Sequence, residues 1–159
     1  MTASAVISDC GTYRYVLRRT WRGGPVLAFV MLNPSTADAE QDDATIRKCI
    51  GFAKRYGFGG IVVVNLFALR SRDPAALRTH PSPIGPENDY WLKHETVNPN
   101  HSIIVAWGRH AEHFPGRVRA VMKIIERAVR CLDVTKDGHP SHPLMLPYKS
   151  VPQPWIGDR

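Results

Sequence analysis

Three runs of branched apolar residues, Val26 to Leu32, Ile61 to Val64 and Ile103 to Ala106, recur along the chain, each bounded by turn-forming residues. They lack polar alternation, which predicts strands buried on both faces, as in a parallel sheet covered by helices. Tyr13 to Trp21 mixes apolar and polar positions as a strand does, and Arg22-Gly23-Gly24-Pro25 after it predicts a turn. That segment is expected to pair as a hairpin with the first core strand. Asp42 to Tyr56 predicts a helix, with Asp42 or Asp43 capping it and Ile46, Ile50 and Phe52 or Ala53 at helical spacing. Gly57, Gly59 and Gly60 stop it before the second core strand. A second helix is expected over Glu87 to Val97, closed by Asn98-Pro99-Asn100. A third is expected over Val118 to Val129, where Val118, Val121, Met122, Ile125 and Val129 form an apolar stripe. Cys131 to Val134 reads as a fourth core strand. The connection Phe67 to Pro86 carries four prolines and is expected to be functional or mobile. The tail from Lys136, rich in proline and histidine, is expected to be irregular but packed.

This order predicts an α/β fold: a single three-layer domain over residues 1–159, with a central, mostly parallel four-stranded sheet plus an N-terminal hairpin strand. In such a sheet the carboxyl ends of the strands open on one crevice, where ligands bind. Asn33, Asn65, Trp107 and a histidine of GHPSHPL are therefore expected to meet, although they lie far apart in sequence.

Bulk properties narrow the class. A chain of 159 residues can bury a core of its own. No apolar run approaches the roughly 20 residues a membrane helix needs, and MTASAVISDCGTYRY lacks the basic flank and apolar stretch of a secretory signal. Cys10, Cys49 and Cys131 are an odd, scattered set without C-x-x-C spacing, which points to reduced thiols and a cytoplasmic protein. The formal charge of +7, from 21 Lys+Arg against 14 Asp+Glu, favours polyanions, so nucleic acid or a nucleotide is the expected partner. Oligomeric state is not legible.

The strand ends hold the candidate chemistry. In LNPSTAD, Pro34 cannot continue ladder bonding, and Asn33 before it can orient a water or a base edge. Ser35 and Thr36 would line the crevice mouth, and a desolvated Asp38 would serve as general base. An Asx-type turn without chemistry is the alternative for the same residues. Asn65 can pair bidentately with a nucleobase, and Phe67 can offer a stacking face, unless both belong to the packed interior. Gly108 allows close backbone approach, beside Trp107 and Arg109, while Arg47 can reach a phosphate from its helix start. His139 and His142, held among prolines, can donate a hydrogen bond to a developing oxyanion or move a proton. His110, His113, His139 and His142 have no diagnostic ligand spacing, so no metal and no cofactor is expected.

Taken in order, four motifs resemble the uracil-DNA glycosylase superfamily: LNPS (Leu32 to Ser35, similar to its Gly-x-Asn-Pro loop minus the glycine), VVVN (Val62 to Asn65), IIVAWGRHA (Ile103 to Ala111) and HPSHPL (His139 to Leu144, one histidine more than the family loop). The resemblance implies a glycosylase-like fold and cleavage of an N-glycosidic bond. Asn33 or Asp38 would position the water, Asn65 would read the base edge, and His139 or His142 would stabilise the departing base. Access to a duplex base would require flipping it out. Nearly the whole chain also resembles the bacterial and phage family called domain of unknown function 1643, through MLNPSTADAEQDDATIRKC, NLFALRSRDP, GPENDYWL, AWG and KDGHPSHPL. That family brings no assigned reaction. The alternative is a non-catalytic module for modified or single-stranded nucleic acid, gripping its backbone through Arg47, Arg70, Arg72 or Arg109.

Overall fold

Parallel neighbours in a sheet need crossovers of helical length, and the chain supplies three. In the computed structural model, which describes residues 1–157, β3 (Val26–Met31) passes through α1 (Ala44–Arg55) into β4 (Gly60–Asn65). β4 then crosses by α2 (Ala76–Thr79) and α3 (Asn88–Thr96) to β5 (His101–Val105), and β5 by α4 (Pro115–Ile125) to β6 (Val129–Cys131). Three antiparallel strands complete the sheet: β1 (Thr2–Ile7), β2 (Arg14–Thr20) and β7 (Gln153–Trp155). The order is β1-β2-β4-β3-β5-β6-β7, with β4, β3, β5 and β6 parallel at the centre. Among the described residues, no helix is long and apolar enough to cross a membrane.

Each α1 feature has a local cause. Asp43, in extended conformation, accepts the Ile46 N–H at 2.9 Å as N-cap, and Lys54 and Arg55 face the negative end of the helix dipole. Ile46, Cys49, Ile50, Phe52 and Ala53 are buried against Leu17, Phe29, Met31 and Val63 on one face of the sheet. Leu92 of α3 and Val118, Val121 and Met122 of α4 cover the other face, against Val30, Val64 and Val105. The loops leaving β3 and β5, which are direct neighbours, therefore turn to opposite faces. A crevice opens between them at the carboxyl ends of the strands.

Several expectations need correction. The sheet has seven strands, not four plus a hairpin strand. β7 holds Pro154, which an edge strand tolerates because one row of its backbone groups needs no partner. β2 does not pair with β3. Thr20 and Val26 flank Gly60 on its two sides, so the turn between them steps over β4. α4 ends at Ile125, with Glu126 in the left-handed region (φ 51°), and Val129 opens β6 instead of closing the helix. Val134 forms only an isolated bridge to Pro140. The Phe67 to Pro86 connection is packed, with Leu77 buried, Ala68 N–H donating to Ile84 and Leu69 N–H donating to Pro83.

The step over β4 depends on a missing side chain. The Trp21 and Arg22 N–H groups both donate to the Gly59 carbonyl, and a Cβ on Gly59 would stand 2.4 Å from the Arg22 carbonyl oxygen. Gly59→Ala is expected to lower unfolding free energy in urea by ~1–3 kcal/mol, as overpacking against backbone does. Gly23→Ala, whose methyl meets nothing within 4 Å, should stay within ~0.5 kcal/mol of wild type.

Candidate functional site

At the carboxyl ends of β3, β4 and β5 lies a pocket of about 520 Å³. Asn33, Pro34 and Ser35 line it from the loop after β3, Asn65 from the end of β4, and Trp107 and Arg109 from the loop after β5. His142 enters from the C-terminal loop, and Arg14 and Asp43 close the α1 side.

The two strand-end asparagines do different work. Asn33 donates through Nδ2 to the carbonyls of Pro34, Leu69 and Ser71 at 3.1, 3.2 and 3.0 Å, tying the first loop to the Phe67–Pro86 connection. Its amide nitrogen is committed to backbone. Asn65 is 1% exposed, and neither Nδ2 nor Oδ1 has a hydrogen-bond partner among the described residues. Its backbone is held in place by Asn88, whose Nδ2 donates to the Asn65 and Leu66 carbonyls at 3.0 and 3.2 Å, and by Arg117, whose Nε donates to Leu66 at 2.8 Å. Trp107 adds another buried donor without a partner, Nε1, on a ring packed edge-on to Trp155. An unpaired buried polar atom costs about 1–3 kcal/mol. Of the eight such side-chain atoms among the described residues, four belong to Arg14, Asn65 and Trp107 of this one pocket. Their concentration makes this pocket the candidate site for a polar ligand.

A β-bulge delivers Arg14. Val6 pairs with Val16 and Ile7 with Arg14, leaving Tyr15 unopposed. Tyr15 joins the cluster beneath α3 and α4, and the next residue back, Arg14, returns to the α1 face. Bulges re-aim side chains in this way beside functional sites.

His142 sits on a braced loop. Gly108 N–H donates to Pro140 at 2.8 Å, Ser141 N–H to Asp133 at 2.9 Å, and Thr135 N–H to His139 at 2.7 Å. Gly108 adopts φ 79°, a conformation that favours glycine, and its Cα side faces the His142 Cβ. His142 Nδ1 accepts the Leu144 N–H at 3.2 Å, which assigns the proton of the neutral ring to Nε2. Burial pulls its pKa below the ordinary 6.5, with Asp43 opposing the shift. The ring is thus a neutral donor at neutral pH. Asp43 spends one carboxylate oxygen on the α1 cap while lining the same pocket.

Other expected residues lie elsewhere. Asp38 caps its own turn, accepting from Glu40 and Gln41 N–H at 2.9 and 2.8 Å, and these bonds lower its pKa. The Asx-turn reading describes it, and Asp43 is the acid at the pocket. Arg47 is exposed and donates back to the Asp42 carbonyl. Phe67 is core, edge-on to Phe114. Thr36 is exposed, and neither it nor His139 lines the pocket. Among the described residues, no group of three or more His, Cys, Asp or Glu is placed to hold a metal ion.

Sequence reasoning missed Arg14 and did not place Asp43 among the site residues. The doubled aspartate before α1 is a visible signal for the second. Nothing in TYRYVLRRT marks the bulge that turns the first.

A family model described as "Protein of unknown function (DUF1643)" matches residues 14–144. No curated protein and no solved structure matches the chain.

The lowered His142 pKa fixes the sign of a pH effect. Between 6.5 and the folded value the unfolded chain binds more protons, so stability falls as pH drops through that window. In NMR, His142 should titrate below 6.5, and His142→Gln should flatten the loss of stability on acidification. A midpoint at or above 6.5 would contradict the half-buried neutral ring.

Proposed function

The chain belongs to the DUF1643 family, and from its pocket we propose that it acts on a nucleobase, nucleotide or nucleic acid, hydrolysing or transferring at an N-glycosidic bond as uracil-DNA glycosylases do. One observation carries the reading: the Asn65 amide, buried at the pocket with both polar atoms unpaired. An amide presents a donor beside an acceptor, and a base edge with the complementary pair satisfies both at once. Trp107 Nε1 supplies a further donor, and the backbone clamps from Asn88 and Arg117 keep the amide in position.

The chemistry follows from the neighbours. Asp43 takes a proton from a water as its oxygen bonds to the sugar C1′, while the C1′–N bond breaks and its electrons leave with the base. His142 donates from Nε2 to the charge developing on the departing base. The proton from the water then passes to the base or to solvent, and Asp43 is regenerated. The uracil-DNA glycosylase-like organisation is part of this proposal. It is supported by parallel central strands whose ends bear Asn33, Asn65 and Trp107, with a proline-flanked histidine opposite.

A second reading has its own support. Arg72 and Arg109 are exposed at the pocket and make no hydrogen bond or ion pair among the described residues. That suits a non-catalytic module for modified or single-stranded nucleic acid, whose binding would weaken with salt.

Release of free base, followed chromatographically from nucleosides, nucleotides and modified or uracil-bearing oligonucleotides, separates the two. Hydrolysis by the wild type is expected with at least one substrate class. Asp43→Asn should lower it ~10²–10⁴-fold while keeping the helix cap, since asparagine caps as well as aspartate. His142→Gln should lower it ~10²–10³-fold. No release from any substrate, or equal release by both variants, refutes the enzymatic reading.

A further inference from the structure

The bulge at Tyr15 gives the pocket a buried cation that base recognition and hydrolysis do not use. Arg14 is 2% exposed, and Nη1 donates to the Ala37 carbonyl at 3.0 Å. Among the described residues, Nε has no partner, Nη2 makes no hydrogen bond, and no carboxylate lies within 4.0 Å of the group. Arg19, five residues along the same strand, is the internal control. Equally buried, it has Asp42 at 2.8 Å and the carbonyls of Arg18 and Asp38. One strand therefore carries a buried arginine paired with a carboxylate and one without such a pair. The unpaired one lines the pocket.

Burial lowers the Arg14 pKa to about 10, with the charge of Asp43 opposing and those of Arg70 and Arg19 adding. The group remains cationic at neutral pH, and an anion placed on it would offset its desolvation. The approach is positive as well. Thr45 and Ile46 of the first turn of α1 line the pocket, and Arg72 and Arg109 stand at the same pocket.

We propose that Arg14 seats the phosphate monoester of a free nucleotide, so that the substrate is a nucleoside monophosphate held by its base at Asn65 and by its phosphate at Arg14. The inference rests on the nucleobase reading of this pocket and narrows its substrate class. Guanidinium and phosphate match as a two-pronged charge-assisted pair, and Nε with Nη2 is the fork edge left free. A terminal phosphate can reach a group this buried. A diester within a strand would draw a second nucleoside into a pocket of about 520 Å³.

Binding, not turnover, tests the assignment. Isothermal titration and thermal unfolding at constant ionic strength would use inorganic phosphate, ribo- and deoxynucleoside 5′-monophosphates, the matching nucleosides and a single-stranded DNA oligonucleotide. The proteins would be wild type, Arg14→Met, Arg14→Lys and Asn65→Ala. At least one monophosphate should bind wild type ~10- to 100-fold more tightly than its nucleoside, the worth of a charge-assisted pair. Arg14→Met should abolish that preference, Arg14→Lys should retain part of it, and Arg14→Met without ligand should melt no lower than wild type. A preference that survives in Arg14→Met, or an oligonucleotide that binds where no monophosphate does, overturns the assignment. If Arg14→Met fails to fold, Arg14→Lys decides, and an undiminished preference there overturns it. Nucleosides bound through Asn65 with no gain from phosphate would remove the phosphate seat and leave the base reading standing. Inorganic phosphate bound through Arg14, with neither nucleoside nor nucleotide binding, would remove both.

Discussion

Strands that run parallel must end on the same side, and that constraint gathers every group of interest in this molecule. β3, β4 and β5 finish together, their loops diverge to opposite faces, and the crevice between them is bordered by residues up to 131 positions apart, from Arg14 to Met145. The sheet must first be covered on both faces, because the core strands have no polar side fit for water. α1 seals one face and α3 with α4 the other, so the site is a by-product of how the core is closed. The same helices hold the site still: α1 brings its capped N-terminus to the pocket, while Asn88 and Arg117 grip the backbone at the end of β4.

Inside the crevice, hydrogen-bond accounting separates structural from available groups. Asn65 ends β4 opposite Met31, and Asn33 lies two residues beyond the end of the neighbouring β3. The Asn33 amide nitrogen is committed to three carbonyls, whereas the Asn65 side chain bonds to nothing among the described residues. Arg19 and Arg14 repeat the contrast for charge. Folding alone gives no reason to bury an amide, an indole N–H and a guanidinium nitrogen unpaired in one place, since each costs stability. A ligand that pairs with them, as proposed, would supply the reason.

Periodicity made the core legible. The three unalternating runs became β3, β4 and β5, and the capped stripe from Asp43 became α1. What stayed hidden depends on non-local pairing. β1 and β7 are edge strands with weak patterns, and a proline such as Pro154 is a poor sign of a strand. The expected β2–β3 hairpin failed because nothing in Arg22–Pro25 tells a tight hairpin turn from one that steps over another strand. Among site residues, Asn33, Asn65, Trp107, Arg109 and His142 were reachable because polar residues after apolar runs mark strand ends. Arg14 was not, because a single bulged residue reverses which face a strand's side chains take. Asp38 and Asp43 both precede α1, and their sequence context gave no basis for choosing the acid that faces inward.

The central claim is that the unpaired groups at the strand ends await one polar ligand. The most direct measurement is a crystal structure soaked with the nucleoside monophosphate series. The account predicts density in the pocket with a base edge on the Asn65 amide and an anionic group on Arg14. Ligand-free density, with Asn65 and Arg14 turned onto partners of their own within the protein, would contradict it.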